Sequence, residues 1–220
     1  HPRPRERREL GASRQPPERT LNSGAALAEA YLRVNGYLVL DEMPIVLPEE
    51  TGGYRTHTDL DIVAVRFPCV RMGHPDAEGR IADPIQTDPK LDVPGGAIDV
   101  IIGEVKEGRA HLNRAIRSPE TLRLGLARVG VCDEQEMDSA AKALSEQAVV
   151  RLESSSPIRQ VRLIAFGIGT SRKTQTHYVI SLKDAWEFID TLIEREHELL
   201  LPATLSDPVL GLLHLAQKLR

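Results

Sequence analysis

The sequence predicts an α/β protein: one mixed β-sheet with helices packed on its faces. Three observations predict it. Five strand-like stretches are spaced along the chain, "YLVLDEMPIVL", "TDLDIVAVRF", "AIDVIIGEVK", "IRQVRLIAFGIG" and "HYVISL". Segments with helical apolar spacing precede the first, separate the third from the fourth, and follow the fifth. The third stretch is apolar on both faces, the pattern of a central strand covered from two sides.

The elements follow in order. Residues 1–20 hold four prolines and no hydrophobic period, and carry six Arg against three Glu, so they are expected to be a disordered basic tail. Asn22 or Ser23 can cap the first helix, in which Leu27, Ala30, Tyr31 and Val34 fall on one face and which Gly36 stops in a left-handed cap position. The first strand runs to Leu47 with an interruption near Pro44, "EETGGYRT" turns the chain, and the second strand closes at Pro68. Residues 68–97 are rich in Pro, Gly and Asp without a period, an insertion expected to be functional or disordered. After the third strand a short helix is expected near 119–128. A longer one is expected over "MDSAAKALSEQAVVRLES", with Ala141, Leu144, Ala148 and Leu152 inward. Strands four and five follow. Then comes an amphipathic helix with Trp186, Phe188, Ile189 and Leu192 as its packed stripe, broken by Pro202, and a last helix from Asp207. Residues 21–201 are thus read as a single domain, with 202–220 a C-terminal helix packed on it. Short links among the first three strands predict an antiparallel meander, and the later helix carries the chain across the sheet.

Composition bounds the function. The chain of 220 residues is 41% apolar and 27% charged, ordinary values for a globular protein, and its 4% aromatic content makes the core aliphatic. No run approaches 18 apolar residues, so no membrane partner is expected. Cys69 and Cys132 lie far apart without CxxC spacing, as expected of two reduced thiols in the cytoplasm. A net charge of −4 argues against a wholly basic nucleic-acid binder.

The chemistry concentrates in "IIGEVK". Alternate strand residues share a face, so Glu104 and Lys106 follow Val100 and Ile102 on one side. On the preceding strand Asp59 and Asp61 share a face. If the two strands pair, an aspartate meets Glu104. A buried carboxylate needs a partner or a cation. Two of them suit Mg²⁺, which takes a few carboxylates plus water and phosphate oxygens. A lysine beside them can orient water or stabilise a transition state.

"TDLDIVAVR" followed by "DVIIGEVKEG" resembles the core motif of the PD-(D/E)XK, or restriction-endonuclease-like, nucleases. The opening helix and "NGYLVL" resemble Holliday-junction-resolvase and Mrr-like members. The likeness is sharp over residues 57–66 and 98–108 and extends by element order over 22–185. It implies an αβββαβ core and Mg²⁺-dependent phosphodiester hydrolysis, with Mn²⁺ as a substitute. By position, Asp61 and Glu104 match the metal ligands, with the Val105 carbonyl as a third, and Lys106 matches the catalytic lysine. Asp59, Glu29 and Gln147 are auxiliary candidates. Many members carry a metal-site Glu early in the first helix; that place falls near Gly24–Ala25, which holds no acid. The substrate implied is nucleic acid, most readily DNA, and members often work as homodimers. The alternative is a catalytically inactive nuclease-fold protein that binds nucleic acid or serves as a scaffold. Arg114, Arg117, Arg123 and Arg128, and Arg172 and Lys173 in "GIGTSRKTQTH", are candidates for phosphate contacts.

Overall fold

The computed structural model describes residues 22–50, 52–153 and 157–220. The basic tail expected over 1–20 lies outside them. In chain order the elements are α1 (Ser23–Val34), β1 (Leu38–Pro48), β2 (Tyr54–Arg66), β3 (Gly73–Pro75), β4 (Ile81–Pro84) and β5 (Ile98–Arg109). Then follow α2 (Pro119–Val129), α3 (Glu134–Glu146), β6 (Val149–Leu152), β7 (Arg159–Ile168), β8 (Arg172–Lys173) and β9 (Tyr178–Ser181). α4 (Leu182–Arg195), α5 (His197–Ser206) and α6 (Pro208–Lys218) complete the chain.

Seven strands form one mixed sheet in the order β1-β2-β5-β7-β9-β8, with β6 also paired to β7. β1, β2 and β5 are antiparallel neighbours, β5 and β7 are parallel, and so are β7 and β9. β5 is central as its sequence predicted: Val100, Ile101 and Ile102 are each at most 1% exposed. Alternation along the strands sorts the core into two layers. Ile62, Ala64, Ile101, Val105, Ile164 and Phe166 pack under α1, α4 and α6, whereas Val63, Val100, Ile102, Val161 and Leu163 pack under α2 and α3. Burying each such aliphatic side chain contributes roughly 1.5–3 kcal/mol.

Local chemistry explains the boundaries. Asn22 caps α1 by accepting from the Ala25 N–H at 3.1 Å, and Gly36 takes φ +84° just past the helix. Ser118 caps α2 and Asp133 caps α3 through the same type of bond.

Four expectations are corrected. The helix expected to reach Ser154 stops at Glu146, and Val149–Leu152 form β6, antiparallel to β7. Two adjacent valines favour a pleated strand, and β7 offers a free edge there. The 68–97 insertion is built: β3 and β4 make a hairpin, Pro89–Leu91 a 3₁₀ turn, and Leu91 is fully buried. Trp186 is 38% exposed, and the stripe α4 buries is Ala185, Ile189, Leu192 and Ile193. The helical break falls at Glu196, and α5 runs through Pro202.

A buried polar network staples the insertion to the sheet. Arg162 and Asp99, on neighbouring strands, are 0% and 1% exposed and form a two-pronged ion pair. Arg162 Nη1 also donates to the Leu91 carbonyl at 2.6 Å, and the Tyr37 hydroxyl donates to Asp99. Tyr31 donates to Asp88 at 2.9 Å, and Asp88 N–H donates to Asn35 Oδ1 at 2.7 Å.

Candidate functional site

β2 and β5 part company at the residues the motif singles out. Their ladder ends at Ile62 opposite Gly103. One step beyond, Asp61 and Glu104 stand at the fork. The outer strand bends at the same level. Asp41 faces Ile62 and Met43 faces Leu60, and between them Glu42 takes a left-handed φ of 49°. Leu60 packs with Val63 in the α2–α3 layer while Ile62 packs in the other, so the two-residue alternation slips once at Asp61.

Each charged side chain at the fork has a partner. Asp61 Oδ2 accepts from the Val105 N–H at 2.8 Å, where the β-ladder no longer supplies an acceptor. Glu104 is 1% exposed; Lys106 donates to its Oε1, and the Asn113 N–H donates to its Oε2 at 2.9 Å. Lys106 of β5 therefore balances the charge of a buried carboxylate, and the loop after β5 folds back to hydrogen-bond it. Burial raises the Asp61 pKa above the ordinary carboxylate value; the Val105 N–H opposes this, and the Glu104 charge adds to it. The Glu104 charge therefore reaches Asp61 through space.

The structure thus brings Asp61, Glu104, Val105 and Lys106 together. Asp59 is exposed and adds a small repulsion to Asp61. Glu29 does not join them. It pairs with Arg33 at 2.7 Å, and Arg33 also donates to Asp207 at the start of α6. Its pKa is raised by burial, with Asp41 and Asp207 contributing and Arg33 opposing. The α1 residue that approaches the fork is Gly24, whose added Cβ would lie 3.3 Å from Val105 Cγ1. Gln147 is exposed at the end of α3. Its neighbour Ala148 bonds both Gln175 and Leu163, which places Gln147 on the far side of β7 from the fork. Of the five arginines expected to make phosphate contacts, Arg123 is occupied by Glu134 and Asp138. Asn113 was not legible in the sequence, because it acts through its backbone N–H and leaves no side-chain signature.

Among the described residues no three His, Cys, Asp or Glu side chains converge as a metal-ligating group. The pair that does converge suits a largely hydrated hard cation: Asp61, whose pKa is raised by burial and then by the Glu104 charge, and Glu104, one step beyond the end of the ladder. Asp61, Glu104 and Val105 would hold it. No described helix is long and apolar enough to cross a membrane. No protein-family model, curated protein or solved structure matches the chain.

Proposed function

We propose that the protein is a metal-dependent nuclease that hydrolyses phosphodiester bonds, with DNA as the preferred substrate. The observation that carries this reading is the meeting of Asp61 and Glu104 at a strand fork with Lys106 bonded to Glu104. A Mg²⁺ ion there, or Mn²⁺ in its place, would supply charge neutralisation to a phosphodiester and activation of water.

The chain's own groups do the rest. Lys106, 28% exposed, is the part of the pair that a substrate can reach; its ammonium orients the attacking water or donates to the phosphate. Glu104 fixes the ammonium from below, and the Asn113 N–H fixes Glu104 in turn. Asp61 is held in place by the Val105 N–H through one oxygen, which leaves the other for the cation. Two copies of the chain would serve the two strands of a duplex.

A plasmid-nicking assay with and without Mg²⁺ or Mn²⁺ tests the reading. Nicking should require the ion and fall roughly 10²–10³-fold in both Lys106→Ala and Glu104→Gln. Metal-independent nicking, or nicking that survives both substitutions, refutes it. DNA binding without nicking, unchanged by either substitution, supports the binding-only alternative. That alternative draws on the engagement of both Glu104 oxygens and on Gly24 standing where many members of the resembling family carry an acid.

A further inference from the structure

The sheet carries a row of residues from the fork to its far edge. Glu104 pairs with Ala165, Ala165 with Val179, and Val179 with Arg172. Residues paired directly across strands share a face, so Glu104 and Arg172 lie on the same side of the sheet. Three strand spacings of about 4.8 Å separate them by roughly 14 Å. Ala110 and Leu112 pack on Ala165 and Val179 between the two ends. The chain passes there so closely that a Cβ at Gly167 would lie 2.8 Å from backbone atoms of Ala110 and Gly108.

Basic side chains gather at the far end of the row. His177 lies two residues before Val179 and so shares its face. Burial lowers its pKa, and the charges acting on it, Arg117, Arg172 and His111, are all basic and lower it further. His111 and Arg172 are exposed. Arg117 donates from Nη2 to the Ser145 carbonyl at 3.1 Å, and among the described residues its buried Nε has no hydrogen-bond partner. Arg172 donates to the Thr170 carbonyl over a long 3.3 Å. Lys173 points the other way, its ammonium 4.9 Å from the centre of the Tyr178 ring.

We propose that His111, Arg117, Arg172 and His177 form a phosphate-binding shelf that holds the nucleic-acid strand a few nucleotides from the fork. The inference rests on the nuclease reading for its direction, since the row leads from Glu104. Among the described residues the charges that act on His177 are all basic, and such a group is stabilised by an anion that bridges it. A phosphodiester backbone supplies that anion, and the exposed guanidinium of Arg172 suits its oxygens.

The test is fluorescence anisotropy of a fluorescein-labelled DNA duplex of about 30 base pairs, in EDTA, from roughly 50 to 200 mM NaCl. The salt slope of log K should shrink by about 1 in Arg172→Ala, one phosphate contact's worth, and affinity should fall several-fold at the lower salt. His177→Ala should weaken binding in the same direction. Lys173→Ala, on the same hairpin but the opposite face, should leave the slope unchanged. Thermal melts of each variant check that the fold persists. An unchanged slope in Arg172→Ala, an equal loss in Lys173→Ala, or a wild-type chain that binds no duplex overturns the shelf. Nicking tells the two proposals apart. If nicking persists while Arg172→Ala binds like wild type, only the shelf fails. If no metal supports nicking while Arg172→Ala loses slope, the hydrolytic reading fails and the shelf stands.

Discussion

Replacing Arg162 with Met should be among the most damaging single changes in this protein. Arg162 is fully buried, and its guanidinium satisfies both oxygens of Asp99, the Tyr37 hydroxyl oxygen and the carbonyl of Leu91. Without it Asp99 stays buried with the Tyr37 hydroxyl and a 3.5 Å contact from Gln160. Removing one member of a buried ion pair costs about 3–5 kcal/mol. Losing the donor to the Leu91 carbonyl adds about 1–3 kcal/mol. Protonation of the stranded Asp99 limits the total, so a loss of roughly 4–6 kcal/mol is expected, a large share of the ~5–15 kcal/mol that holds a domain together. Urea unfolding at neutral pH, followed by circular dichroism and by the single tryptophan, Trp186, measures it. The double variant Arg162→Met/Asp99→Leu should recover at least half of the loss, because no charge is then stranded. Protease sites in the 68–97 segment should open in the single variant, since Arg162 holds Leu91. A loss under about 1 kcal/mol, or a double variant no more stable than the single, would refute the reasoning.

Three further outcomes are expected. Burial and Glu104 raise the Asp61 pKa, so the folded chain holds that proton more tightly than the unfolded one. The stability from protonated Asp61 is present at acidic pH and lost as pH rises through its folded pKa. Asp61→Asn should therefore flatten that part of the stability–pH curve and remove any stabilisation by Mg²⁺, both readable by thermal melts in a pH series. A metal-induced rise in Tm that persists in Asp61→Asn would exclude Asp61 as a ligand. Gly167→Ala forces a Cβ to 2.8 Å from the Ala110 and Gly108 backbone and should cost roughly 1–3 kcal/mol in urea unfolding, whereas Gly52→Ala meets no atom within 4 Å and loses only from its φ of +87°. Asp88→Ala removes the acceptor of the Tyr31 hydroxyl and the cap of the 3₁₀ turn, and should cost about 1–3 kcal/mol while raising hydrogen exchange over 85–93.

The strands were legible where the apolar pattern was long. β2, β5 and β7 each carry enough consecutive apolar residues to be read without a partner, and α1 announces itself by cap, stripe and terminal glycine. β6 was not, because Ala148 and Leu152 also fit a helical period, and the choice was made by the open edge of β7. The insertion was opaque for a related reason. Its order comes from single long-range bonds, Asp88 to Tyr31 and Leu91 to Arg162, which leave no local period.

At the site, the residue types were set by the sequence: an aspartate on one strand and a Glu-x-Lys at the end of a strand apolar on both faces. That Glu104 and Lys106 share a side follows from the two-residue strand period alone. Everything that depends on two segments meeting was decided by the fold. The strand fork that lets Asp61 reach the Val105 N–H, the return of Asn113 to Glu104, and the separation of Glu29 and Gln147 from both are tertiary facts. Local sequence fixes which way a side chain leaves its own backbone, and only packing fixes what stands opposite it.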